Sequence, residues 1–75
     1  MPFIHICAYS GRTMEVKKSA VEAIVKAASE AMNAPETAFT VAFQEVEKEK
    51  WDEEVGDPIV KPLSDKVLYK QGKLL

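Results

Sequence analysis

The chain has 75 residues, of which 47% are hydrophobic and 29% are charged, and its net charge is -2. This composition excludes a disordered chain and predicts a single globular domain over residues 1–75. The absence of a basic block argues against a nucleic-acid partner. We expect a cytoplasmic protein, because no signal-peptide pattern is present and no segment approaches the ~20 apolar residues of a membrane span.

The first predicted element is a strand over residues 2–9, which is dense in Ile, Phe and Tyr and ends at the turn signal Ser10-Gly11. A strand that begins this early holds the N-terminus in the fold. If Met1 is removed, the nitrogen of Pro2 becomes a secondary amine that can serve as a base or a nucleophile. The alternative is that Pro2 only begins an edge strand, which is a common position for proline.

A long helix is predicted next, from Met14 to Met32, with Thr13 as its N-cap and with Asn33 and Pro35 at its end. Apolar residues recur at helical spacing and form one stripe: Met14, Val21, Ile24, Val25, Ala28, Ala31 and Met32. The charged residues on the opposite face are interpreted as solvated.

A second strand is predicted over residues 39–46, where apolar and smaller or polar residues alternate. The order strand, helix, strand predicts an α/β (α+β) fold built on a right-handed βαβ unit with parallel strands. Residues 51–55 are expected to form a short helical turn that ends at Gly56-Asp57-Pro58. Asp57 and Pro58 can cap a second short C-terminal segment, whose length Pro62 limits. The pattern of residues 67–75 assigns no structure to that segment.

The predicted sheet has too little cover to be stable in one chain. A two-stranded sheet is not stable alone, and a parallel strand with two apolar faces needs cover on both. The two apolar faces of the first strand carry Ile4, Ile6 and Ala8 on one side and Phe3, Cys7 and Tyr9 on the other. We therefore expect a homodimer with a four-stranded sheet, with a hexamer as the competing assembly.

The single cysteine and the single histidine are interpreted as structural residues. Cys7 has no second cysteine for an intrachain disulfide and is expected to act as a small strand residue rather than a reactive thiol. His5 lies in the middle of the same strand. We expect no metal site.

Four features occur in a characteristic order: Pro2 at the start of the first strand, Ser10-Gly11-Arg12 after it, Asn33-Ala34-Pro35 at the helix end, and Trp51 after the second strand. In this combination the chain resembles the tautomerase superfamily, the short subunits typified by 4-oxalocrotonate tautomerase. Three later segments are similar to the small dimeric bacterial tautomerases that act on phenylpyruvate. They are Trp51–Val55, Pro58-Ile59 and Leu68-Tyr69-Lys70.

The resemblance implies keto–enol tautomerisation of a small 2-oxo or enol acid such as phenylpyruvate, without a cofactor. Pro2 would transfer the proton as general base and acid, Arg12 would bind the substrate carboxylate, and Trp51 would wall the pocket. Apolar surroundings and a nearby cation such as Arg12 would both favour the neutral amine that a base needs near pH 7. A guanidinium can bind a carboxylate through two parallel hydrogen bonds.

One position departs from the prototype of the family, which carries a second substrate-binding arginine where this chain has Thr40. The loss of one cationic group favours a substrate with one carboxylate. Two other functions stay open: a non-catalytic oligomeric binding module with the same fold, and a dehalogenase or decarboxylase on the same scaffold. For the two binding residues, the alternative interpretations are that Arg12 is a solvated turn residue and that Trp51 is a core or dimer-contact aromatic.

Overall fold

Two strands joined by a long helix make up most of the first half of the chain. In the computed structural model, which describes residues 1–75, β1 spans Phe3–Tyr9, α1 spans Met14–Met32 and β2 spans Thr40–Val46. β1 and β2 are parallel neighbours in a two-stranded sheet, so the predicted βαβ unit is confirmed. The contacts of the chain define two compact units, Met1–Glu45 and Val46–Leu75.

Both predicted ends of α1 are confirmed. The side chain of Thr13 accepts a hydrogen bond from the backbone N–H of Val16 at 3.2 Å, which satisfies one free donor of the first turn. At the other end, Asn33 takes the left-handed conformation with φ 53° and donates its backbone N–H to Ser29. Neither α1 nor any other helix combines the length and the hydrophobicity needed to cross a bilayer.

The predicted apolar stripe of α1 is only partly buried. Met14, Ile24 and Met32 are exposed, with 59%, 39% and 60% of their surface accessible. The half-buried positions are Lys17, Ala20, Val21, Val25, Ala28 and Ser29. Because neighbouring strands lie only about 4.8 Å apart, a sheet of two strands is too narrow to cover the whole stripe. No side chain of residues 1–45 is fully buried.

The sheet has one face towards α1 and one open face, since side chains alternate along a strand. The open face carries Phe3, His5, Cys7 and Tyr9 from β1 and Thr40, Ala42 and Gln44 from β2. On it, the ring N–H of His5 donates to Gln44 Oε1 at 2.8 Å and links the two strands. Phe3 is 65% exposed and Tyr9 is 47% exposed. Burial raises the pKa of the Cys7 thiol, which agrees with an unreactive strand residue.

The second unit is built around Val46 and Val55, the two fully buried apolar residues, at 5% and 2% exposure. After a 3₁₀ turn, a wide π-type helix spans Asp52–Val60, and a 3₁₀ helix follows over Lys61–Lys66. The prediction that Gly56-Asp57-Pro58 ends the helix is therefore wrong. A proline ring clashes with the carbonyl four residues earlier in an α-helix, and the wider π turn relieves that clash around Pro58.

The last residues form a small antiparallel hairpin, in which β3 spans Tyr69–Lys70 and β4 spans Lys73–Leu74. Gln71 and Gly72 make the turn, with φ values of 50° and 84°. Two successive residues with positive φ are typical of the tight turn whose twist matches that of paired strands. The structure thus assigns a segment that the sequence pattern left unassigned.

Candidate active site

Pro2 lies directly before β1 and is half-buried. Its carbonyl accepts a hydrogen bond from the backbone N–H of Thr40 at 3.1 Å, which holds it where β2 begins. Met1 precedes it and is fully exposed, so the loss of Met1 removes no packed side chain. While Met1 is present, the nitrogen of Pro2 is an amide and has no basic lone pair; after its removal, that nitrogen is an amine.

Thr40 is therefore the neighbour of Pro2 across the sheet. It is the first residue of β2 and is exposed. Its hydroxyl is uncharged, so it cannot form the charge-assisted pair with a carboxylate that an arginine would form there.

Arg12 follows β1, in the short loop before α1. Gly11 precedes it with φ 125°, a backbone conformation that disfavours residues with a side chain, so glycine is required for this turn. The guanidinium Nη1 of Arg12 donates to the carbonyl of Tyr9 at 3.0 Å. This bond uses one of five N–H donors, and the exposed guanidinium has others that can bind a carboxylate.

Glu45, in β2, links the loop that contains Arg12 to α1. The sequence patterns did not identify this residue. Its Oε1 accepts from Lys17 Nζ at 2.8 Å, and its Oε2 accepts from the backbone N–H of Arg12 at 3.3 Å. The hydrogen bond from Lys17, followed by that from Arg12, lowers the pKa of Glu45. One signal could have found it: Glu45 is an acidic residue in the same helix-facing register as Val41 and Phe43.

The structure does not bring Pro2 and Arg12 together within one chain. They flank opposite ends of β1, which has seven residues. At about 3.3 Å per residue, this strand separates them by roughly 20 Å. A site that uses both residues therefore requires a second copy of the chain.

Trp51, the third predicted site residue, belongs to the second unit. It is half-buried between the 3₁₀ turn Lys48–Lys50 and the helix Asp52–Val60. Its backbone N–H donates to the carbonyl of Lys48. Its role as a wall of the pocket stays a prediction.

None of the three predicted site residues lines either of two cavities in the structure. One, of about 430 Å³, lies between α1 and β2 and is lined by Met14, Lys17, Lys18, Val21, Glu22, Val41 and Phe43. The other, of about 600 Å³, is in the second unit and is lined by Val60, Lys61, Ser64, Val67, Tyr69, Lys70, Gln71 and Leu75. Neither contains Pro2, Arg12 or Trp51, so neither is the predicted site.

Residues 2–55 match the family described as Tautomerase enzyme. The chain belongs to the tautomerase family. It is an isomerase that interconverts keto and enol forms, as the resemblance implied. The matched range begins at Pro2 and includes Arg12 and Trp51.

Named relatives cover most of this tautomerase. It is 34% identical over 58 residues to Tautomerase PptA of Pectobacterium atrosepticum, a match over 77% of this chain and 76% of that protein. It is 43% identical over 51 residues to 2-hydroxymuconate tautomerase of Pseudomonas putida, over 68% of this chain and 81% of that protein. The corresponding enzyme of Comamonas testosteroni is 39% identical over 51 residues, with the same two coverages.

Proposed function

We propose that this tautomerase acts on small 2-oxo acids with one carboxylate, such as phenylpyruvate, and that the amine of Pro2 is its general base once Met1 is removed. The amine takes the proton from the enol oxygen, and the resulting ammonium delivers that proton to the carbon at the far end of the enol double bond, which gives the ketone. The reverse reaction uses the same group, so no cofactor is needed. The half-buried position of Pro2 supports this role, because burial disfavours the ammonium and favours the neutral base.

Arg12 is proposed to bind the carboxylate of the substrate and to stabilise charge on the enolate oxygen. Its exposed guanidinium, held at one end by Tyr9, suits this task. Relatives of the chain are named for 2-hydroxymuconate, which carries two carboxylates. With Thr40 beside Pro2 instead of a second cation, a monocarboxylate is the better fit.

The observation that carries the proposal is the placement of Pro2 and Arg12 at opposite ends of β1. β1 has a neighbouring strand on one side only, so a second copy can pair with its other edge. Two-fold symmetry makes such a pairing antiparallel and yields a four-stranded sheet. A pairing centred on Ile6, the midpoint of β1, sets Pro2 of one copy opposite Ser10 of the other, two residues from Arg12.

The same pairing accounts for exposed aromatic residues on the open face. Phe3 of one copy comes opposite Tyr9 of the other, and both side chains are exposed in a single chain. Cross-strand aromatic pairs stabilise a sheet. We therefore propose a homodimer with two composite sites, each with Pro2 from one copy and Arg12 from the other; a hexamer of such dimers would keep this arrangement.

Subunit mixing tests the composite site directly. One preparation is trimmed of Met1 and acetylated on Pro2, and the other is trimmed and carries Arg12→Ala. After unfolding together and refolding at equal amounts, random pairing gives intact composite sites at about a quarter of all positions. We expect about a quarter of wild-type activity with phenylpyruvate, above the mean of the two parents refolded separately. Activity that stays at that mean would contradict a site shared between copies.

One observation supports the alternative of a non-catalytic binding module: while Met1 is present, the nitrogen of Pro2 is an amide and cannot act as a base. If the trimmed protein, checked by intact mass, does not tautomerise phenylpyruvate or other enol acids but still binds them, the binding module is the better account. If it releases halide or carbon dioxide from suitable acids instead, the proline base performs the related chemistry.

A further inference from the structure

Three elements of the first unit meet at one side chain, that of Glu45 near the end of β2. Its carboxylate contacts Lys17 in α1 and the backbone of Arg12 in the loop between β1 and α1. We infer that Glu45, neutralised by Lys17, is a positioning residue that holds Arg12 ready for the substrate carboxylate. The inference deepens the proposed function and rests on the carboxylate-binding role of Arg12.

The contacts of Glu45 act on the backbone of Arg12 and not on its guanidinium. Oε2 accepts the backbone N–H of Arg12 at 3.3 Å, and the backbone N–H of Gly11 also contributes to the lowered pKa of Glu45. The guanidinium instead donates to Tyr9. Glu45 thus ties the glycine turn to β2, while the charged end of Arg12 points to the end of β1.

Lys17 explains why Glu45 does not capture the guanidinium. An arginine and a nearby carboxylate readily form a paired, bidentate contact. Here Lys17 Nζ lies 2.8 Å from Oε1, and the side chains of Lys17 and Glu45 are only 17% and 20% exposed. Both carboxylate oxygens are therefore engaged, Oε1 by Lys17 and Oε2 by the Arg12 backbone. The guanidinium stays available for a substrate.

The first test measures KM and kcat for phenylpyruvate in variants of the trimmed, full-length protein. Glu45→Ala removes the acceptor of the Arg12 N–H, and we expect KM to rise about fivefold or more and kcat to fall by a smaller factor. Glu45→Gln keeps a carbonyl oxygen that accepts this N–H, and we expect a KM within about twofold of wild type. Equal rises in KM for Ala and Gln would overturn the inference.

Lys17→Met tests the neutralising role. It frees one oxygen of Glu45 to compete with the substrate for the guanidinium, so we expect a raised KM. Adding Glu45→Gln to Lys17→Met removes the competing charge and should return KM towards wild type. If Glu45→Ala does not fold, this pair of variants decides the same point, and a raised KM in the double variant would overturn the inference.

A matched control separates positioning from loss of stability. Ser29→Ala removes the hydrogen bond from Ser29 Oγ to the carbonyl of Ala34 at the far end of α1. It should lower the midpoint of urea unfolding and leave KM unchanged. A KM that rises in Ser29→Ala as it does in Glu45→Ala would show that general destabilisation, and not Glu45, moves KM.

A double-mutant cycle distinguishes this inference from the proposed function. If Glu45 acts through Arg12, Glu45→Ala should add no further rise in KM to Arg12→Ala. A wild-type KM in Arg12→Ala would overturn the role of Arg12 and the inference with it. A raised KM in Arg12→Ala together with a wild-type KM in Glu45→Ala would overturn the inference alone.

Discussion

The two ends of β1 differ in charge and in surroundings. At one end Pro2 is half-buried and bonded through its carbonyl to Thr40, an uncharged residue. At the other end Arg12 belongs to a charged network with Glu45 and Lys17. A neutral amine base is favoured by apolar surroundings, whereas binding a carboxylate needs a cation held in place. β1 holds Pro2 and Arg12 apart within one chain, and pairing of two copies would bring Pro2 of one copy near Arg12 of the other.

We expect the greatest loss of activity from changes at the Pro2 end of β1. Blocking the amine, by retaining Met1 or by acetylation, should abolish tautomerisation of phenylpyruvate because no lone pair remains to accept a proton. Pro2→Ala leaves a primary amine, so the rate should fall but not vanish. pH–rate profiles of these forms, each checked by intact mass, measure the difference. Equal activity of the Met1-retaining and trimmed forms would show that another group is the base.

The next largest loss of activity is expected from a change at the Arg12 end of β1. Arg12→Ala should lower kcat/KM for a 2-oxo monocarboxylate by about tenfold or more, because a charge-assisted hydrogen bond in the transition state contributes roughly 1.5–3 kcal/mol. Thr40→Ala should change kcat/KM little, since Thr40 supplies no charge. Steady-state kinetics of the two variants provide the comparison. A large effect at Thr40 with none at Arg12 would reverse the roles given to the two ends.

A site with Pro2 from one copy and Arg12 from another requires the chain to assemble. Light scattering at low micromolar concentration measures the mass of the assembly. We expect twice the subunit mass of 8.3 kDa. Phe3→Glu should weaken the dimer by placing charge opposite Tyr9 of the second copy. Val16→Glu is the matched control, because Val16 is similarly exposed, at 51%, but lies on α1 outside its apolar stripe. A single species of one subunit mass would contradict the dimer.

The competing hexamer is tested through the C-terminal segment. Deleting residues 67–75 should change the assembly mass if this segment covers the surface through which dimers would join. An unchanged mass would show that the hairpin does not set the assembly state.

A smaller effect is expected on the stability of the fold at acid pH. The folded pKa of Glu45 is lowered by Lys17 and then by the Arg12 N–H, whereas an unfolded glutamate titrates near pH 4.3. Its stabilising contribution is therefore present above about pH 4.3 and is lost as pH falls through the lower folded pKa. Urea midpoints between pH 6 and 3 should fall less steeply in Glu45→Gln than in wild type. Glu30→Gln, at an exposed position of α1, is the matched control.

Much of the first unit could be predicted because its signals are local. The alternation of β2 and the caps Thr13 and Asn33 each involve neighbours within a few residues. The second unit was less predictable. Pro58 lies inside a helix because a wide π turn accommodates it, and Gln71 joins Gly72 in a turn with positive φ. Propensity alone favours neither arrangement.

The amino-acid pattern alone was enough to predict the βαβ order, the ends of α1 and the family, and it supplied the residues that we propose for the chemistry. The contacts of Glu45, by contrast, became known only from the folded chain. Glu45 lies far along the chain from Arg12 and Lys17, and it reaches both because the register of β2 turns its side chain towards α1. The separation of Pro2 from Arg12 by the length of β1, by contrast, already follows from the predicted strand over residues 2–9. The alternation along a strand predicts which face a side chain points to, but contacts between distant residues also depend on which elements pack together and how they are aligned, which that alternation does not specify.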